Sequence, residues 1–203
     1  YIVKGGRKIG GEFRVHGSKN GTLPILAACV LAEDEVILEN VPRIRDVLQM
    51  LDILQELGCS VKWEGRTVII DSRFLQKTEV SSDAVCHMRA SVLFLGALLG
   101  REKYVKLASP GGCALGRRPI DMHISAFEKM GAEIYEKEFM LECSAENIIG
   151  SQIYLPFPSV GATQNVILAA TAVCGETVLH GAATEPEVED LCRYLCAMGG
   201  EIA

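Results

Sequence analysis

The stretch SPGGCALGRRP, residues 109–119, sets one thiol, Cys113, among three glycines and places Arg117 and Arg118 within five residues of it. Neighbouring guanidinium groups favour the thiolate, and a glycine-rich loop can carry a reactive group to a substrate and exclude water as it closes. Chemistry open to such a group is proton donation or nucleophilic attack. The alternative is a small residue packed under a loop. Further cations stand where helices are expected to begin: Lys19, beside Ser18 and Asn20 in GSKN (17–20), and Arg89 in HMRAS (87–91). A third such place, PSVGAT (158–163), has no cation but offers Ser159, Val160 and Gly161, small enough to let backbone N–H groups approach a ligand. A helix N-terminus presents unpaired donors and about half a positive charge, which suits phosphate or carboxylate. For any one of these cations alone, a solvated surface charge is the ordinary reading. Their recurrence at equivalent places of a repeat is what argues for a site.

The repeat is legible in the chain. An apolar helical segment occurs three times, as LPILAACVLA (23–32), RASVLFLGALLG (89–100) and TQNVILAATAVCG (163–175), each apolar nearly all round and so expected at the centre. Short strands rich in Val, Leu and Ile follow at 36–40, 104–109 and 177–182. Pro42, Pro119 and Pro186 then stand near the start of a second, amphipathic helix, where a missing N–H does no harm. Each second helix ends on a glycine, Gly58, Gly131 or Gly199, as a left-handed residue after a helix requires. Hairpins are expected at 60–71 and 133–143. After Gly199 no hairpin follows, so the chain is expected to be a domain of a longer protein or, alternatively, a short protein completed by a partner chain. The connection carrying Cys113 is longer than its two counterparts, which suggests a loop kept for function.

Composition narrows the classes. The chain has 203 residues, 49% of them hydrophobic, and a net charge of −6. An acidic balance speaks against a nucleic-acid binder, which needs a basic excess, and requires that any anionic ligand meet a local cluster of cations. The longest apolar stretches fall well short of the ~20 residues of a membrane span, and no secretory leader pattern precedes Gly10. A cytoplasmic protein with no membrane association is the expectation. The eight cysteines (29, 59, 86, 113, 143, 174, 192 and 196) are dispersed without paired or metal-type spacing, so they read as reduced and mostly buried. Cys192 and Cys196, four apart on the last helix, read as core. The histidines have no metal-like grouping, and only His123 has a place near the candidate site.

The segments GSKNGTLPIL, HMRASVLFLG, SPGGCALGRRPIDMHI, PSVGAT and EPEVEDL occur in this order along the chain, and together they resemble the enolpyruvyl transferase family, in particular those members that act on UDP-N-acetylglucosamine. The resemblance covers about the first half of such an enzyme. It implies an α/β (α+β) fold, an inside-out α/β barrel lobe of three βαβαββ repeats with the third incomplete. On this reading residues 1–12 would pack against the missing C-terminal lobe, and 13–203 form one lobe with repeats at about 13–75, 76–150 and 151–203. The implied reaction moves the enolpyruvyl group of phosphoenolpyruvate to the 3-hydroxyl of UDP-N-acetylglucosamine, with no cofactor and no metal, at the first committed step of peptidoglycan synthesis. Cys113 matches the family's general acid, which also forms a covalent adduct and is the residue alkylated by fosfomycin. Lys19 and Arg118 match the cations on phosphoenolpyruvate, Asn20 a residue at the reacting ends of the two substrates, and Arg89 a cation lining the pocket. Arg118, Pro119, Ile120, Asp121 and Met122 match the segment around the uridine. Phe157, Pro158, Ser159, Val160 and Gly161 match the segment around the diphosphate and sugar. Some relatives have Lys where this chain has Phe157, which leaves the backbone donors as the contact there. The aspartate base and other contacts would lie in the missing lobe, so this chain alone is expected to be inactive. Other readings of the same residues are an enolpyruvyl transferase for another acceptor and a non-catalytic phosphate- or nucleotide-binding module.

Overall fold

A computed structural model describes residues 1–80, 85, 88–108, 120–137 and 140–203. The expected Cys113 loop, with Arg117, Arg118 and Pro119, lies outside the described residues, as do Cys86 and His87. Tyr1 to Gly17 form no helix or strand. The first repeat comprises α1 (Lys19–Ala28), β1 (Glu35–Leu38), α2 (Arg45–Glu56), β2 (Ser60–Glu64) and β3 (Thr67–Asp71). The second comprises β4 (Glu79–Val80), α3 (Leu93–Glu102), β5 (Tyr104–Ala108), α4 (Asp121–Lys129), β6 (Glu133–Lys137) and β7 (Met140–Ser144). The third comprises β8 (Gln152–Tyr154), α5 (Val160–Thr171), β9 (Val178–His180) and α6 (Pro186–Ala197). Only the second repeat shows the full βαβαββ order among the described residues.

Each repeat owns a sheet. The orders are β1-β3-β2, β4-β5-β7-β6 and β8-β9. The pairs β4–β5 and β8–β9 are parallel, while the hairpins and their neighbours are antiparallel. Register follows the alternation of side chains: β3 turns Val68 and Ile70 into the core while Thr67, Ile69 and Asp71 alternate to the other face.

The helices α1, α3 and α5 carry little amphipathic pattern because they are surrounded, and α3 is buried over Leu93 to Gly100. The helices α2, α4 and α6 show a one-sided apolar stripe, as in Val47, Met50, Leu51 and Leu54 of α2. α1 packs against α2 and α6, and α5 against α4 and α6, so each centrally placed helix meets two amphipathic ones. α3 and α5 approach closely because the facing residues of α3 are glycines: a Cβ at Gly96 would collide with the Asn165 carbonyl, and one at Gly100 would stand 3.1 Å from Ala169 O.

Helix ends follow the sequence rules. Gly58, Gly131 and Gly199 have φ of 102°, 97° and 102° just past α2, α4 and α6, the left-handed region where a Cβ is strained. α1 ends in a 3₁₀ turn, Cys29–Leu31, in which the Cys29 carbonyl accepts the Ala32 N–H at 3.2 Å and side chains meet the carbonyls further. Ser72 Oγ meets Cys29 O at 2.9 Å and Ala32 O at 2.8 Å, and Arg101 Nη1 meets Val30 O at 2.5 Å.

The cysteine expectation needs correction at the last helix. Cys29, Cys59 and Cys143 are buried, and loss of hydration pushes their thiols up to about 12, 11 and 12. Cys192 is only half-buried, however, and Cys174 and Cys196 are exposed. The buried stripe of α6 is Val188, Leu191 and Leu195, and the two cysteines sit one residue past it on the flank.

Candidate functional site

The first and third helices of the expected site begin earlier than their apolar runs suggest. Lys19 and Asn20 lie in the first turn of α1, not before it, and Val160 and Gly161 open α5. The reason is capping. Ser18 Oγ accepts from Gly21 N at 3.1 Å, and Ser159 Oγ accepts from Ala162 N at 3.4 Å. Arg89 instead opens a 3₁₀ turn, Arg89–Val92, that runs into α3.

The structure divides the expected residues between two corners. At the first, the starts of α1, α2 and α6 come together. Lys19 Nζ stands 3.1 Å from Asp46 Oδ2, with both side chains substantially exposed. Asn20 Nδ2 donates to Glu187 Oε1 at 3.3 Å. Pro24 lacks the N–H that would bond the Asn20 carbonyl, which leaves that oxygen without its helical partner. A Cβ at Gly17 would strike Asn40 O, so glycine is needed where the entry to α1 passes the connection after β1. Asp46 and Glu187 were not anticipated. Their signal in the sequence is that each is an acid in the first turn of a second helix, the place that complements the helix dipole.

At the second corner, the turn before α3, the first turn of α4 and the first turn of α5 converge. Ile120 caps α4, Asp121 is its first residue and exposed, and Met122 is half-buried. His123 is 2% exposed. Its Nδ1 lies 2.8 Å from Asn165 Nδ2, and a Cβ placed on Gly161 would stand 3.5 Å from its Cε1. Burial, with help from the Arg89 guanidinium and against the pull of Asp121, lowers its pKa to about 4, so the ring is neutral at pH 7.

Beside this corner, a groove of about 280 Å³ runs between α4 and β8, near the lower end of the roughly 300–1,000 Å³ of small-molecule sites. Asp121 and Met122 line one side, with Ser125 and Lys129 further along the helix; Tyr154, Leu155 and Pro156 line the other. Tyr154 is stacked on His180 with ring centroids 4.2 Å apart. Pro156 leads directly into Phe157, which is 57% exposed, and Pro158. Of the two segments expected around a nucleotide, Asp121 and Met122 line this groove while Phe157–Gly161 follow its far wall in the chain, and His123 lies against Gly161. Lys19 and Asn20 belong to the other corner, and Cys113, Arg118 and Pro119 fall outside the described residues. No helix among the described residues is long and apolar enough to cross a membrane.

Known proteins resemble this chain along its whole length. The family model described as EPSP synthase (3-phosphoshikimate 1-carboxyvinyltransferase) matches residues 3–203. A protein of Caldanaerobacter subterraneus subsp. tengcongensis named UDP-N-acetylglucosamine 1-carboxyvinyltransferase 2 is 43% identical over 100% of this chain and 48% of its own length. A UDP-N-acetylglucosamine 1-carboxyvinyltransferase of Nitratidesulfovibrio vulgaris is 47% identical over 99% of this chain and 48% of its own. The chain thus spans about half the length of the curated relatives it matches. Among solved structures, the enolpyruvyl transferase NikO from Streptomyces tendae superposes with a TM-score of 0.85 at 21% identity, covering 98% of this chain and 47% of that one. An EPSP synthase from Acinetobacter baumannii superposes with a TM-score of 0.68 at 20% identity over 88% of this chain. These likenesses establish the inside-out α/β barrel fold expected from the sequence.

Proposed function

This chain belongs to the EPSP synthase (3-phosphoshikimate 1-carboxyvinyltransferase) family, and on that premise we propose that it forms one wall of an enzyme that transfers enolpyruvyl from phosphoenolpyruvate to the 3-hydroxyl of UDP-N-acetylglucosamine. The observation that carries the choice of acceptor is the groove between α4 and β8, across which Asp121 and Met122 face the strand leading to Phe157–Gly161. The names of the matched relatives point to the same acceptor. The uridine takes the segment from Arg118 to Met122. The diphosphate and sugar take Ser159 to Gly161, whose amides open the N-terminus of α5.

The chemistry is an addition followed by an elimination. Cys113 gives a proton to the methylene carbon of phosphoenolpyruvate as the sugar oxygen bonds to the adjacent carbon, forming a tetrahedral ketal. Loss of a proton from the new methyl group and cleavage of the bond to the phosphate oxygen restore the double bond, leave the sugar as an enol ether and release phosphate. The general acid must start as a thiol although Arg117 and Arg118 favour thiolate; the bound trianion opposes them and raises the thiol again. Lys19 and Arg118 neutralise phosphoenolpyruvate, with Arg89 a further cation lining the pocket, in a site from which water is excluded. Asn20 holds the reacting ends together. Residues 1–12 and a second lobe complete the cleft, the second lobe supplying the base, so the protein works in the cytoplasm as the start of peptidoglycan precursor synthesis only when both lobes are present.

The test joins this chain to the second half of a matched relative and follows phosphate release. Release that requires UDP-N-acetylglucosamine and is not supported by shikimate 3-phosphate is the expected result, with Cys113→Ala slowing it about a thousandfold. The 203-residue chain alone should show no turnover. Release with shikimate 3-phosphate as acceptor would overturn the assignment.

A further inference from the structure

Two thiols on the flank of α6 have no part in the proposed reaction. Cys192 is half-buried and Cys196 exposed, and they stand four residues apart in the helix, so both belong to one face with Cβ atoms roughly 5–6 Å apart. A disulfide needs about 3.5–4.5 Å between those atoms, which the helix does not allow without unwinding a turn. Two metal–sulfur bonds of roughly 2.3 Å each span about 4.6 Å between sulfurs, a separation that side-chain rotation reaches from the helical spacing. The pair is therefore ill placed for a disulfide and well placed to share one ion. Its surroundings favour a cation. Partial burial first, then the proximity of Cys196 and of Glu189, holds the Cys192 thiol above its ordinary pKa; the last two show negative charge gathering on this face as the thiols ionise, which a cation relieves. Glu189 Oε1 is held 2.5 Å from Arg193 Nη2, so it supplies field and not a further ligand. Cys196 Sγ meets only a distant acceptor, Ile202 O at 3.8 Å. Among the described residues no cluster of three or more histidines, cysteines and carboxylates is placed to hold a metal, so the pair suits an ion content with two ligands rather than four-coordinate Zn²⁺. Soft thiolates in that number select Cu(I).

We infer that Cys192 and Cys196 form a two-coordinate site for a thiophilic monovalent cation, Cu(I), clipped across one turn of α6. Binding is an exchange without change of oxidation state: each S–H gives its proton to water, each sulfur donates an electron pair to the ion, and the copper stays Cu(I). A spacing of four carries no metal signature in a sequence. It becomes a site here because the segment is helical and its buried stripe, Val188, Leu191 and Leu195, leaves this flank outside the core. Cys192 lies more than a turn beyond Glu187, which meets Asn20 at the first corner, so the ion and the proposed substrates occupy separate places.

The experiment loads the reduced 203-residue chain with Cu(I) under anaerobic conditions against a chromogenic Cu(I) chelator, and maps free thiols by iodoacetamide labelling and mass spectrometry. A single Cu(I) should be retained and should shield Cys192 and Cys196 while the exposed Cys174 stays reactive. Cys192→Ser and Cys196→Ser should each lower the affinity by more than about a hundredfold, beyond the roughly 10–100-fold lost with an outer partner of a metal ligand. The double variant should be no weaker than either, because one thiolate does not hold the ion alone. No shielding of the pair, equal shielding of Cys174, or copper held by the double variant as firmly as by the unsubstituted chain would each overturn the inference. So would a Cys192–Cys196 disulfide formed on mild oxidation with diamide, which would place the sulfurs closer than the helix permits. Should a serine variant fail to fold, shielding in the unsubstituted chain decides.

Discussion

The two corners, both helix starts at which the proposed function places an anion, are built with opposite physics. At α1, Lys19 and Asn20 are accessible and rest on carboxylates, Asp46 and Glu187, contacts that a ligand can replace at little cost. At α5, His123 and Asn165 are buried in a network whose every hydrogen bond fixes the next, so ring, amide and helix end are in place before a ligand arrives. An exposed ion pair tolerates rearrangement because water solvates either partner. A buried network does not, because a released donor or acceptor finds no water. The first corner is thus suited to a reacting group that changes charge, and the second to a part of the substrate that only has to be held.

Four substitutions or conditions sharpen this contrast, beginning with the largest effect. Asn165→Ala strands Gly96 N–H, Val92 O and His123 Nδ1 together, and the urea midpoint should fall by the equivalent of about 4 kcal/mol. A loss below about 1 kcal/mol would show that the network is not pre-organised. Acidification comes next. The unfolded chain takes up the His123 proton near pH 6.5 and the folded chain only near 4, so stability falls as pH drops through that window, by up to about 3 kcal/mol at about 1.4 kcal/mol per pH unit. His123→Asn should flatten that slope in denaturation curves measured at pH 7 and pH 4; an unchanged slope would assign it to other groups. Ser159→Ala removes the cap of α5 and should cost about 1 kcal/mol, read as a shift of the thermal midpoint. Lys19→Met should change stability by less than about 0.5 kcal/mol yet weaken phosphoenolpyruvate binding, measured by calorimetry with the completed two-lobed protein. A stability loss as large as that of Asn165→Ala would remove the difference between the corners.

Much of the fold was legible because the repeat displays each rule three times. The positive φ at Gly58, Gly131 and Gly199 follows from a residue type placed after a predicted amphipathic helix, and the buried helices follow from apolar runs with no polar face. Helix starts were less legible. Ser18 and Ser159 cap one turn before the apolar runs because capping satisfies N–H groups irrespective of hydropathy. Cys196 was misread because four-residue spacing identifies a shared face of α6 but not which side of that face meets the core. The carboxylates against Lys19 and Asn20 were invisible, since Asp46 and Glu187 stand far from them in the chain and each looks like an ordinary first-turn acid.

By itself the sequence determined the threefold unit, the family and the types of residue able to hold an anion, because hydrophobic period, caps and glycines act locally and motifs are read in order. Only the tertiary structure decided which of those residues share a corner, that Lys19 is balanced by Asp46, and that His123 is neutral with its proton on Nε2. The Lys19 pair requires α1 to meet α2, and the state of His123 depends on burial and on partners that do not exist until α3, α4 and α5 have packed.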